Sequence, residues 1–122
     1  YEMLRSLVGS EMCIRDRSQA MQQALQGCTR TPFEMMELSL EALRLTEGLV
    51  DRSNANAASD LGCAALHLGC AIQGAWLNVL INLGSIRDVA FAAQYRTRGQ
   101  ILLDEALPLS QRIYGRILEM VE

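Results

Sequence analysis

Residues 61–86 read LGCAALHLGCAIQGAWLNVLINLGSI, and no Asp, Glu, Lys or Arg falls among them. A β-strand rarely exceeds about eight residues, so an apolar run of this length is a helix, and its lack of charge leaves two environments for it, a bilayer or the inside of a protein. His67, Gln73, Asn78 and Asn82 interrupt the run, Gly62, Gly69 and Gly74 are spread along it, and no lysine flanks it. Those features disfavour a lipid-facing span. The run therefore predicts an all-α fold, a helical bundle fragment with a central charge-free buried helix covered on all sides by others.

Working upstream, residues 52–58 (RSNANAA) are rich in the residues that make Asx turns, and Ser59 is a natural cap for the helix that follows. Before that turn, Thr31-Pro32-Phe33-Glu34 has the layout of a helix start, with a capping threonine, a proline at the first helical position and a glutamate able to reach back. Met35, Leu38, Ala42, Leu45 and Leu49 then recur at spacings of three and four and form the expected packing stripe, while Glu34, Glu37, Glu41 and Arg44 lie on other faces. Ser18 to Gly27 (SQAMQQALQG) reads as the tail of an earlier helix that stops at Gly27. Downstream of Ser85, Leu102, Ala106, Leu109, Ile113, Ile117 and Met120 mark a long amphipathic C-terminal helix, kinked at Gly99 and Pro108.

The 122 residues form one domain at most, 5% of them aromatic, with a formal net charge of -3. All 11 basic residues are arginine, which excludes lysine-nucleophile chemistry and leaves no basic footprint for nucleic acid. Cys13, Cys28, Cys63 and Cys70 follow no zinc-ligand spacing and no disulfide pattern, so they read as small buried hydrophobes of a reducing compartment. The stretch Ser6–Arg17, SLVGSEMCIRDR, is similar to translated sequencing-adapter DNA. Residues 1–17 are accordingly set apart as a non-native N-terminal extension, and 18–122 carry the fold.

The residues able to do chemistry cluster at the two ends of the central helix. Asn54, Asn56, Ser59 and Asp60 stand at its start, where free amides and the helix dipole favour a carboxylate; Asn78 and Asn82 stand at its end, one turn apart. Two amides in an apolar wall can present donors and acceptors to a heterocycle, although buried asparagines more often bond to neighbouring backbone. His67 has no second histidine and reads as a satisfied core residue, and no metal site is expected.

The wording N-A-N-A-A-S-D-L-G-C-A-A-L (54–66), followed by G-A-W-L-N-V-L-I-N-L (74–83), resembles the formiminotetrahydrofolate cyclodeaminase and methenyltetrahydrofolate cyclohydrolase family. That family reads N-P-N-S-x-S-D-x-G-x-x-A-L, then G-A-x-x-N-V-x-I-N-L, after a helix near T/V-P-x-E, which Thr31–Glu34 matches. The chain departs from it at Ala55 (proline), Ala57 (serine) and Leu80 (a basic residue).

The resemblance implies one-carbon folate chemistry: ring closure of formiminotetrahydrofolate with loss of ammonia, or hydrolysis of the cationic methenyl bridge to 10-formyltetrahydrofolate. It implies Asp60 as a catalytic carboxylate, Asn54, Asn56, Ser59, Asn78 and Asn82 as substrate-binding residues, and no cofactor beyond the tetrahydrofolate substrate. A cytoplasmic homodimer follows from the same resemblance, with no nucleic acid and no membrane as partner. The family's glycine-rich N-terminal half has no counterpart here, so the chain is expected to be the C-terminal half of the domain and inactive alone. The competing reading, from periodicity only, is a non-catalytic helical interaction module.

Overall fold

The computed structural model describes residues 13–122, which form three α-helices and one short 3-10 turn, with no strand among the described residues. The expected all-α class holds. Residues 1–12, most of the extension set apart above, lie outside the described residues. Helix α1 spans Ile14–Leu49, the 3-10 turn Ala55–Ala57, α2 Ala58–Leu83 and α3 Val89–Val121. α2 lies in the middle and packs against both of the others.

α1 runs without a break through Gly27 and Pro32, so the expected helix end at Gly27 and new start at Thr31–Glu34 are both overturned. Proline forfeits one rung of the ladder, the one its missing N–H would make to the carbonyl of Cys28, and the ring crowds that carbonyl. Here the Cys28 carbonyl accepts instead from Asn82 Nδ2 of α2, at 3.1 Å. Thr29 and Thr31 do not cap; their hydroxyls donate back to the carbonyls of Leu25 and Gly27 at 2.9 and 3.5 Å.

The buried side of α1 is Thr29, Phe33, Met36, Leu40 and Leu43. The stripe expected from spacing faces outward: Met35, Leu38, Leu45 and Leu49 are 50, 64, 68 and 49% exposed. α1 carries two apolar stripes, and periodicity alone does not say which one a neighbour covers. Ion pairs accompany this rotation. Glu37, Arg44 and Glu47 pair with Arg98, Glu105 and Arg112 of α3, and Asp51 pairs with Arg116, which draws α3 over the Phe33–Leu43 side. Exposed pairs of this kind stabilise little individually, and burial of Phe33, Met36, Leu40 and Leu43 carries the rotation.

α2 is not covered on all sides. Gly62, Ala65, Gly69, Ile72 and Val79 are buried in a stripe, whereas Leu77 and Ile81 are 68 and 74% exposed. The lack of charge was therefore no measure of burial within this chain. The cysteines correct in the same direction, since all four are exposed and free. By length and composition α2 is apolar enough to cross a membrane, but one of its faces is occupied by α1 and α3. Ser59 lies inside its first turn instead of capping it; Asn54 caps the preceding 3-10 turn, its Oδ1 accepting from the Asn56 amide at 3.0 Å.

The small residues of the α2 stripe let α3 come close. Ile117 lies against Gly62, Ser110 against Gly69, and the Trp76 ring against Gly99 of α3. Ser110 Oγ donates to the Ala65 carbonyl at 2.8 Å, which satisfies a buried hydroxyl at the contact. α3 starts at Val89, later than the sequence suggests, because Asp88 Oδ1 accepts from the Phe91 amide at 3.0 Å and fixes the start. Leu109, Ile113 and Ile117 are buried as expected, whereas Met120 is exposed and Pro108 sits within a continuous helix.

A methyl group at Gly99 would overlap the Trp76 ring, whereas one at Gly74 would meet nothing within 4 Å. Gly99→Ala should cost about 1–3 kcal/mol through overpacking. Gly74→Ala should be neutral or stabilise by up to about 1 kcal/mol through helix propensity. Chemical denaturation of the two variants checks the pair of signs; equal effects would refute the close α2–α3 contact.

Candidate functional site

The residues singled out from sequence occupy the two ends of α2. At the N-terminal end, Asn54 is engaged in its turn, and Asn56, Ser59 and Asp60 have exposed side chains. Asp60 takes part in no side-chain hydrogen bond or ion pair among the described residues and sits in the first turn of α2, where backbone amides lack helical partners. Ser59 borders a cleft of about 200 Å³ walled by Gly62, Cys63 and Leu66 of α2 and by Tyr114, Leu118 and Val121 of α3. Tyr114, which places a phenol beside this end of α2, was not legible from spacing.

At the other end, Asn82 Nδ2 donates to two carbonyls, Cys28 at 3.1 Å and Asn78 at 3.0 Å. A side-chain amide has two N–H groups, so Asn82 has only its carbonyl oxygen left for a ligand. Asn78 is exposed and donates once, to the Gly74 carbonyl at 3.3 Å, which leaves one N–H and the Oδ1 lone pairs. The bland reading of buried asparagines is thus realised at Asn82, while Asn78 keeps capacity to spare.

Asp60 and Asn78 are 18 residues apart, about 27 Å along a helix, so one small group cannot touch both. Eighteen residues are also five whole turns at 3.6 residues per turn, so the two side chains leave α2 in the same direction. His67, seven residues after Asp60, falls within about 20° of that line. It is exposed, which overturns its reading as a core histidine. The result is a polar line, carboxylate, imidazole and amide, along a helix otherwise without charge. Among the described residues no three His, Cys, Asp or Glu side chains gather closely enough to hold a metal ion.

An all-α bundle with this asparagine-and-aspartate helix defines a class. The formiminotransferase-cyclodeaminase family model matches residues 5–100, and the chain belongs to that family. The match begins inside the stretch that the sequence reading set apart. The chain is 32% identical over 105 residues to a methenyltetrahydrofolate cyclohydrolase of Methylorubrum extorquens, covering 86% of this chain and 50% of that protein. It is 34% identical over 101 residues to the formimidoyltransferase-cyclodeaminase of Sus scrofa and 31% identical to that of Rattus norvegicus, in each case covering 83% of this chain and 19% of the relative. The chain thus spans half the length of the first of these relatives, and less of the others.

If Asn82 replaces the N–H that Pro32 lacks, the two residues are energetically coupled. Asn82→Ala should cost about 0.5–1.5 kcal/mol, the net worth of its hydrogen bond to the Cys28 carbonyl. In a Pro32→Ala background the restored amide takes that carbonyl, and the cost of Asn82→Ala should fall by about 0.5–1.5 kcal/mol. A double-mutant cycle by denaturant titration checks this; simple additivity would refute the bridge.

Proposed function

We propose that this chain is the C-terminal half of a tetrahydrofolate-processing domain, acting as methenyltetrahydrofolate cyclohydrolase or formiminotetrahydrofolate cyclodeaminase. The observation that carries the reading is the family match together with the common direction of Asp60 and Asn78 on α2. Both reactions pass through a tetrahedral one-carbon centre flanked by the folate nitrogens and need a stabilised cation and proton transfers. Asp60, exposed and without an ion-pair partner among the described residues, supplies the negative charge that a cationic methenyl or amidinium group requires. Asn78 offers one donor and one acceptor to a pterin edge, Asn82 an acceptor only, and Asn54, Asn56 and Ser59 line the opposite end.

A folate is long enough to touch both ends. A two-fold partner whose α2 crosses antiparallel along the apolar Leu77–Ile81 edge would instead bring Asp60 of one subunit to Asn78 of the other. The reading includes that homodimer, a cytoplasmic location and no cofactor beyond the folate itself. Proton transfer is assigned to the other half of the domain.

The test uses a chimaera in which residues 18–122 replace the matched half of the Methylorubrum extorquens cyclohydrolase. It should consume methenyltetrahydrofolate, followed by ultraviolet absorbance, and Asp60→Ala should lower kcat/KM by about 100-fold or more. The 122-residue chain alone should show no turnover of either substrate. An active chimaera indifferent to Asp60→Ala would sink the assignment of that residue, and turnover by the chain alone would place the proton-transfer groups within it.

A further inference from the structure

α2 carries two seams. The inner one, through Gly62, Ala65, Gly69, Ile72 and Val79, is buried against α1 and α3. The outer one runs through Cys63, His67, Cys70, Gly74, Leu77 and Ile81, all exposed, at spacings of four, three, four, three and four and within an arc of about 80°. His67 and Cys70 stand one turn apart on it, with Cβ atoms about 5–6 Å from each other. An imidazole and a thiolate at that spacing are two of the four ligands of a tetrahedral zinc ion. One chain supplies no third, since among the described residues no three His, Cys, Asp or Glu side chains gather to hold a metal. A site here is incomplete without a second pair.

The two-fold arrangement of the proposed function provides that pair, in a register chosen without regard to it. Antiparallel α2 helices that set Asp60 of one copy opposite Asn78 of the other have their axis at residue 69, midway between the two. His67 of one copy then stands level with Cys70 of the other to within one residue, about 1.5 Å, and the reverse pair follows by symmetry. The same register brings Cys63 opposite Gly74, so small side chains meet on both sides of the axis and the helices can approach at the short end of the usual range of about 8–10 Å. A methyl group on Gly74 would meet nothing within 4 Å in one chain, so that space is open to a second. No charged side chain lies on the seam to repel its own copy.

We propose that His67 and Cys70 from two copies of α2 form a tetrahedral zinc site on the two-fold axis, with two thiolate and two imidazole ligands. It rests on the dimer of the proposed function and not on the folate chemistry. Each Cys70 thiol gives its proton to solvent on binding, so two thiolates balance the divalent ion and two neutral imidazoles complete the shell. No net charge is then left on a helix that carries none between Leu61 and Ile86. The shell has no open position for water or folate, so the ion is structural: it holds Asp60 of one copy at the height of Asn78 of the other.

The experiment titrates Co2+, which takes the zinc geometry and reports thiolate ligation by a charge-transfer band, into the untagged, reduced 122-residue chain. Saturation should fall at one ion per two chains, sedimentation should show a dimer that a chelator dissociates, and Zn2+ should displace the cobalt. Cys70→Ser and His67→Ala should each weaken binding by more than about 100-fold, the upper effect of losing even a group behind a ligand. Cys63→Ser and Cys28→Ser should bind as wild type. All four positions are exposed, so circular dichroism should show every variant folded. Acidification should weaken binding, because protons compete for the thiolates. Absence of the thiolate band, saturation at one ion per chain, or binding that survives Cys70→Ser or His67→Ala would each overturn the site. A dimer indifferent to chelator would overturn it while leaving the two-fold arrangement standing, and the folate assignment is judged separately by the chimaera.

Discussion

The constraint that α1 has to meet is the rung Pro32 removes, and a side-chain hydrogen bond from Asn82 Nδ2 to the carbonyl of Cys28 meets it. It lies where Pro32 deprives α1 of a rung, and it comes from the last turns of α2, more than fifty residues further on. One amide thus satisfies the carbonyl that Pro32 leaves without its helical partner, links α1 to the last turns of α2, and donates as well to the Asn78 carbonyl one turn back on α2. Nearby, Gln22 and Arg87 make a parallel tie: Gln22 Nε2 donates to the Ser85 carbonyl at 3.1 Å and Gln22 Oε1 accepts from the Arg87 amide at 2.9 Å. The α2–α3 loop is therefore pinned to α1 before α3 begins.

Beyond that link, the glycines of α2 decide where α3 lies. Gly62 and Gly69 on α2 and Gly99 on α3 each receive a side chain of the facing helix, Ile117, Ser110 and Trp76. Close approach of this kind gains dispersion contacts and leaves no room for an alternative register, because any slip would bring a larger residue to a glycine's place. An aromatic cluster closes the same end: Phe33 of α1 meets Tyr95 of α3 edge-on at 4.9 Å between ring centres, and Arg98 lies over the Phe33 ring.

Much of this was legible in the sequence, and the failures have particular causes. The charge-free run announced a helix and the resemblance at 54–83 announced the family, because both depend on residue identity along one element. Pro32 misled because a helix break is a local inference, whereas its repair by Asn82 is a long-range one that no window contains. The α1 stripe misled for a different reason. Spacings of three and four occur twice on α1, and which of the two faces inward is decided by packing against α2 and α3, distant in sequence. Cys63, Cys70 and His67 were placed inside because apolar surroundings in sequence were equated with burial. The candidate residues lie at the two ends of α2, but that Asn82 has no donor left, while Asn78 does, required the hydrogen bonds themselves.

The uncovered apolar surface and the polar line belong to one physical problem. Asp60, His67 and Asn78 share a direction on a helix that carries no other charge, and in this chain they face water. In water a carboxylate 4 Å from a cation gains only about 1 kcal/mol, and several times more where the surroundings are less polar. The catalytic value proposed for Asp60 therefore depends on cover.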